Sequence, residues 1–226
     1  MERGTTSRIY PVAKRVLDFT AALLGLVVLS PALALIAIAI KLGSSGPVLY
    51  TALRVGRGGD LFRMYKFRTM VINADELGGS STPDDDARIT SAGRFLRRYK
   101  LDELPQLLNV LGGTMSLVGP RPQVKWAVDL YTPAQRTVLE IQPGITDDAS
   151  LQFPDEGEIL RGSADPDHDY LEKIHPEKMR LSLDYLARRS LVVDLGIICR
   201  TITTVFKGPD EEIPHARRAG SRPERR

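Results

Sequence analysis

Residues 19–40 (FTAALLGLVVLSPALALIAIAI) carry no charged side chain, and Ser30-Pro31 interrupts them near the middle. As a straight helix this stretch would be roughly 33 Å long, at about 1.5 Å per residue, enough to cross a hydrocarbon core of roughly 30 Å. Pro31 has no backbone N–H and its ring crowds the carbonyl of Val27, which predicts a kink or break there. The Ser30 hydroxyl can donate back to Leu26 or Val27 and partly replace the missing bond. Two topologies follow: a kinked anchor that spans the membrane, or a helix–break–helix hairpin that dips about one leaflet deep and returns. Arg3, Arg8, Lys14 and Arg15 precede the segment, and Lys41, Arg54, Arg57, Arg63, Lys66 and Arg68 follow it. Neither flank therefore looks translocated, which favours both ends on one side. The stretch is too long for a cleaved signal peptide and no small-residue cleavage site follows it.

The 226 residues leave room for one globular domain beyond this segment. The expected division is a membrane segment over 1–42, a catalytic-sized domain over 43–207 and a basic tail over 208–226, whose Arg-, Gly- and Pro-rich composition predicts disorder. The formal charge is only +3, but basic residues crowd into 54–68, 94–100 and 217–226. Next to a membrane segment, such clusters suit anionic lipid headgroups or phosphorylated substrates. A single cysteine, Cys199, excludes a disulfide framework, and His168, His175 and His215 have no metal-ligand spacing.

Two strands, 48–53 and 61–70, flank a glycine-rich turn and predict a hairpin. Residues 78–86 read as a loop, its acidic run 84–86 as solvated charge. A helix follows over 89–100, capped by Thr90 or Ser91, and a second is expected to start at Asp102, tolerate Pro105 in its first turn and stop at Gly112-Gly113. Further on come a short strand or turn at 115–122, an amphipathic helix over 131–141, a turn at Pro143-Gly144 and an acidic loop over 155–169. Helices over 177–189 and 191–206, the second capped by Ser190, complete the chain. The last carries a wide apolar face, suited to a core or to a membrane interface. The fold class is α+β, mainly helical.

Arg94, Arg97 and Arg98 share one helix face just before Asp102-Glu103, and Arg121 follows in a stiff GPRP. Read for structure alone, Asp102 caps a helix, Glu103 favours its positive end and the arginines solvate a surface. Read for chemistry, the arginines clamp phosphate oxygens, one carboxylate holds Mg²⁺ and the other attacks phosphorus.

Beyond these residues the chain resembles the bacterial sugar transferase family, the monotopic phosphoglycosyl transferases that start glycan assembly on a polyprenyl phosphate. The resemblance rests on KRVLD (14–18), Ser30-Pro31, GPVLY (46–50), RVGRGG (54–59), YKFRTM (65–70), DDARITSAGRFLRRYKLDELPQLLNVLGG (85–113), MSLVGPRP (115–122) and QPGIT (142–146). PEKMRLSLDYLARRSLVVDLGIICRTI resembles the family's C-terminal helices. After QPGIT, many members continue with a Trp-containing segment where this chain has DDASLQFPDEGEIL, so their sugar preference does not transfer.

The resemblance implies a minimal catalytic form working by Mg²⁺-dependent two-step displacement on a UDP-sugar. Asp102 would attack the sugar-bearing phosphorus and expel UMP, Glu103 would ligate the metal, and polyprenyl (undecaprenyl) phosphate would take the sugar-1-phosphate from the aspartyl intermediate. Arg97 and Arg121 would contact phosphate, with Lys66, Arg68 and Arg94 as further candidates. Lys14, Arg15 and Asp18 would either anchor the hairpin to the domain and interface or meet substrate. The implied location is the cytoplasmic face of the bacterial inner membrane, with membrane lipid as a partner, a homodimer left open and nucleic acid absent. The chemistry agrees with a chain poor in histidine: a phosphate acceptor with a second pKa of about 6 is already anionic near neutrality and needs no base. The rival reading is a non-catalytic membrane-associated protein whose basic face binds phospholipid or a partner.

Overall fold

The computed structural model describes residues 9–207, so the expectation for the 208–226 tail lies outside the described residues. Helix α1 runs unbroken over Ile9–Gly43, with Pro31 inside it. The helix–break–helix expected at Ser30-Pro31 is thus corrected to a continuous helical backbone, and the reason is local. Pro31 leaves the carbonyl of Val27 without its N–H partner, and Ser30 Oγ donates to that same carbonyl at 2.8 Å.

One stripe of α1 rests on the rest of the protein along its length: Asp18, Ala22 and Ile40 are buried, and Gly25, Leu29, Leu33 and Ile36 are half-buried between them. Ala22 joins a core with Ala52, Met64, Val110 and Met115, while Ile40 packs with Phe67 and Leu96. The other face presents Leu24, Val27, Val28, Leu35 and Leu42 outward. The helix is long and apolar enough to cross a membrane by length and composition.

The predicted hairpin forms from β1 (Leu49–Val55) and β2 (Leu61–Phe67), antiparallel with Ala52 opposite Met64. The predicted cap also forms: helix α2 (Ser91–Arg98) begins after Thr90, whose hydroxyl accepts the Gly93 N–H at 3.0 Å. Asp102 does not cap the next helix. Lys100 turns left-handed at φ 56°, residues Leu101–Glu103 make one 3₁₀ turn, and α3 spans Gln106–Gly112. Pro105 has no N–H to return to a preceding carbonyl, so the α-helix starts only after it. Gly113, left-handed at φ 80°, ends it as expected of a glycine after a helix.

Strand β3 (Ser116–Val118) pairs in parallel with β4 (Gly144–Thr146), where a turn was expected at Pro143-Gly144. The backbones touch: a Cβ on Gly144 would lie 2.1 Å from the Gly119 nitrogen. Over 131–141 the structure has a 3₁₀ segment, Gln135–Glu140, instead of an amphipathic α-helix. Thr137 offers both its N–H and its hydroxyl to the Ala134 carbonyl, which favours that tighter turn. Helix α4 (Asp148–Gln152) follows, capped by Asp147. The expected acidic loop contains short helices at Glu156–Ile159 and Pro166–Asp169. The chain closes with α5 (His175–Arg188) and α6 (Leu191–Lys207), with Ser190 Oγ accepting from Val193 N at 3.3 Å. On α6, Ile197 is buried while Val192 and Ile202 are exposed, so its wide apolar face is divided between core and surface.

Candidate active site

An open cleft of ≈ 2230 Å³ runs between the hairpin, α2 and the segment 147–161. Asp102 and Glu103 sit in its wall, together with Lys66, Arg68, Arg94, Arg97 and Arg121. The structure therefore gathers into one cavity the two acids and every basic residue that the sequence offered for phosphate.

The acids are held in place by a strained bend. Lys100 and Asn73 alone among the described non-glycine residues have positive φ. That left-handed turn costs energy for a side-chain-bearing residue, and here it reverses the chain directly after α2 to place Asp102 and Glu103 on one short turn.

The two carboxylates then differ sharply. Glu103 is locked: Lys66 Nζ donates to its Oε1 at 2.9 Å, Arg121 Nη1 donates to Oε2 at 3.0 Å, and Arg121 Nη2 donates to Oε1. Burial alone would raise its pKa, but Arg121 and then Lys66 outweigh burial and hold it well below the usual carboxylate range. Asp102, almost fully buried, accepts no hydrogen bond from the described residues and has Lys66 at 3.7 Å. Burial pushes its carboxyl up, Lys66 pulls it down, and the nearby Glu103 charge adds to the rise.

The basic residues reach the cleft from three parts of the fold: the hairpin, α2 and the segment after β3. Lys66 lies on β2, and α3 grips that strand through Asn109, which accepts Tyr65 N–H at 2.9 Å and donates to the Arg63 carbonyl at 2.8 Å. Arg121 follows the tight β3–β4 contact, where Gly144 N donates to the Pro120 carbonyl at 3.0 Å and Pro120 and Pro122 fix the backbone on both sides. Arg97 donates to the Thr82 carbonyl at 3.3 Å, and Arg94 is exposed in the same wall. Arg68 is placed otherwise: although it borders the cleft, its guanidinium is spent on the Ser44 and Ser45 carbonyls and the Ser44 hydroxyl, fastening the exit from α1.

Lys14, Arg15 and Asp18 lie away from the cleft and bind α1 to the domain. Lys14 Nζ donates to Asp194 at 2.9 Å, Arg15 donates to the Val110 and Leu111 carbonyls at the end of α3, and Asp18 accepts the Leu117 N–H at 3.1 Å. Ser30 and Pro31 are exposed on α1.

Sequence reasoning did not single out Asn109, Asp147, Glu156, Lys178 or Asp194. Lys178 had a legible signal, since it falls on the stripe Lys178, Ser182, Tyr185 that α5 buries, where a lysine demands a partner. Among the described residues no group of three or more His, Cys, Asp or Glu could hold a metal ion. Glu103 lines the cleft with one lone pair of Oε2 unused by Lys66 and Arg121, so it could hold a cation only as a single carboxylate completed by substrate phosphates and water.

Residues 9–208 match the bacterial sugar transferase family. The chain belongs to that family. It is similar to the UDP-N-acetylgalactosamine-undecaprenyl-phosphate N-acetylgalactosaminephosphotransferase of Aeromonas hydrophila, 35% identical over 89% of this chain and 45% of that protein. The UDP-glucose:undecaprenyl-phosphate glucose-1-phosphate transferase of Caulobacter vibrioides is 38% identical over 85% of this chain and 69% of its own length. The exopolysaccharide production protein ExoY of Sinorhizobium fredii is 33% identical over 90% of both chains. The chain thus spans less than half of the Aeromonas relative and nearly all of the Sinorhizobium one.

Proposed function

We propose that this sugar transferase family member moves a sugar-1-phosphate from a UDP-sugar to undecaprenyl phosphate, releasing UMP and opening the assembly of a surface polysaccharide. The observation that carries this reading is the division of labour between neighbouring acids. Glu103 is fixed and kept ionised by two cations, while Asp102 is desolvated, free of hydrogen bonds from the described residues and steadied by one ammonium. A carboxylate without hydrogen bonds keeps its oxygens free to attack, whereas Glu103 is held ionised and keeps one lone pair of Oε2 open for a metal.

In the first step an Asp102 oxygen bonds to the sugar-bearing phosphorus as the bond to UMP breaks, giving a phosphosugar–aspartyl ester. In the second, an oxygen of undecaprenyl phosphate bonds to the same phosphorus and Asp102 leaves as a carboxylate. Lys66, Arg97 and Arg121 offset the phosphate charges that these steps bring together. Mg²⁺ held by Glu103 and the diphosphate would further neutralise charge at phosphorus.

The lipid acceptor calls for a membrane-seated domain. Because one stripe of α1 from Asp18 to Ile40 lies on the domain, both ends of the apolar segment sit against the same body. This supports a helix embedded by its outer face, with both ends on the cytoplasmic side where UDP-sugars are supplied, in preference to a span. The test is UMP release by the protein in nanodiscs with Mg²⁺, undecaprenyl phosphate and a set of UDP-sugars. Acceptor-dependent release with one of them is expected; none with any would favour the non-catalytic binding protein.

A further inference from the structure

The cleft wall contains a second ion pair that the displacement does not use. Lys178 is 5% exposed, donates to Glu156 Oε1 at 2.7 Å and lies 5.6 Å from the centre of the Tyr170 ring. Taking an ammonium out of water is costly, and replacing a buried ion pair by apolar residues is often neutral or stabilising, so the pair is weak evidence of a purely structural role. Both residues line the cleft. Glu156 uses one oxygen on Lys178; its second accepts no hydrogen bond from the described residues.

We propose that Glu156, fixed by Lys178, is the residue that reads the sugar, accepting hydroxyl hydrogens of the hexose attached to the phosphorus beside Asp102. This rests on the transferase function above and names the part of the site that selects its substrate. Three observations converge on it. Position is the first: the neighbouring Gly157 carbonyl accepts the Asp84 N–H at 3.1 Å, and Arg97 donates to the Thr82 carbonyl in the same stretch, so Glu156 is pinned in the cleft wall beside the phosphate-facing arginine. Charge is the second. The open oxygen of an ionised carboxylate only accepts, so it has nothing to offer a phosphate oxygen and suits a hydrogen-bond donor, and the polyol is the donor-rich, uncharged part of a UDP-sugar beside the reacting phosphorus. Rigidity is the third: burial would raise the Glu156 carboxyl, but Lys178 and Arg121 keep it low, so it stays an acceptor at neutral pH. A fixed, ionised acceptor discriminates strongly between epimers, because an epimer that turns its hydroxyl away leaves the carboxylate without its donor.

The test measures kcat/KM for UMP release with UDP-glucose, UDP-galactose and their 2-acetamido counterparts, using the full chain in nanodiscs as wild type, Glu156→Gln and Glu156→Asp. For the preferred sugar, Glu156→Gln should lose about 10- to 100-fold, the loss of a hydrogen bond to a charged group. Poorer substrates should change little, so the ranking collapses. Glu156→Asp keeps the charge but withdraws it by one methylene, and should reorder the sugars without unfolding the chain. An equal fall for all four sugars in both variants, or a shift in Mg²⁺ dependence with the ranking intact, would overturn the assignment. A wild type inactive on every sugar would instead overturn the transferase reading itself.

Discussion

Lys66 Nζ lies 3.7 Å from Asp102 Oδ2, too far for a hydrogen bond yet near enough to favour the ionised carboxylate. Its hydrogen bond goes to Glu103 instead. The ammonium thus stabilises the charge on Asp102 without capping either carboxylate oxygen, as the proposed attack requires.

The pH dependence of turnover follows from this relationship. Burial raises the Asp102 carboxyl and Lys66 only partly reverses it, so the acid limb of kcat should fall above the usual carboxylate range. Lys66→Met removes the opposing charge and should move that limb to still higher pH; Lys66→Arg should not. A pH–rate profile of UMP release checks both, and an unmoved limb in Lys66→Met would contradict the assignment.

Stability responds with the opposite sign. Asp102 has a raised pKa in the fold, so the unfolded chain ionises more readily and the buried charge opposes folding near neutrality. Glu103 is held low, so its contribution is present above the ordinary glutamate range and is lost only as pH falls through its depressed value. Asp102→Asn should therefore melt no lower than wild type while turnover disappears. On acidification, activity should fail before the fold does. Circular dichroism beside the activity profile distinguishes this from coincident loss.

The clamp between α1 and α6 is a stability element. Asp194 is fully buried, with Lys14 Nζ at 2.9 Å and Tyr10 Oη at 3.1 Å on one oxygen and Tyr185 Oη at 2.7 Å on the other. Lys14→Met leaves that buried carboxylate its two tyrosine hydroxyls but no counter-charge, and should cost about 3–5 kcal/mol, read as a fall in denaturation midpoint in detergent. A change under about 1 kcal/mol would show the pair to be exposed in solution.

Gly144 tests how Arg121 is positioned. Its Cβ would meet the Gly119 backbone at 2.1 Å. Gly144→Ala must part β3 from β4, costing about 3 kcal/mol or more and carrying Arg121 away from Glu103. Denaturant titration and kcat/KM should both fall; wild-type values for either would contradict the packing.

Local signals were legible where the cause was local. The strands around the glycine-rich turn, the Thr90 cap and the Ser30 bond to Val27 each depend on residues within a few positions. The site was legible as a set of residue types, since Asp102-Glu103 and the arginines stood in recognisable runs. Their separate roles were not, because they arise from Lys66 and Arg121, 37 and 18 residues away from Glu103. The three-residue β3 and β4 are too short for a periodic pattern, and the left-handed Lys100 has no residue-type signature. Pro31 was misread as a break because the freed carbonyl was weighed above the serine that satisfies it. Asp194 and Lys14, 180 residues apart, have no sequence pattern that joins them.

Leaving out the acceptor isolates the first displacement. Purified protein with Mg²⁺ and its preferred UDP-sugar should release about one UMP per chain and acquire one sugar-phosphate in intact-mass spectrometry, located on Asp102 by peptide mapping. Undecaprenyl phosphate should discharge it, and Asp102→Asn should neither form it nor turn over. Turnover with no adduct on rapid quench, an adduct on another residue, or an active Asp102→Asn would contradict the account.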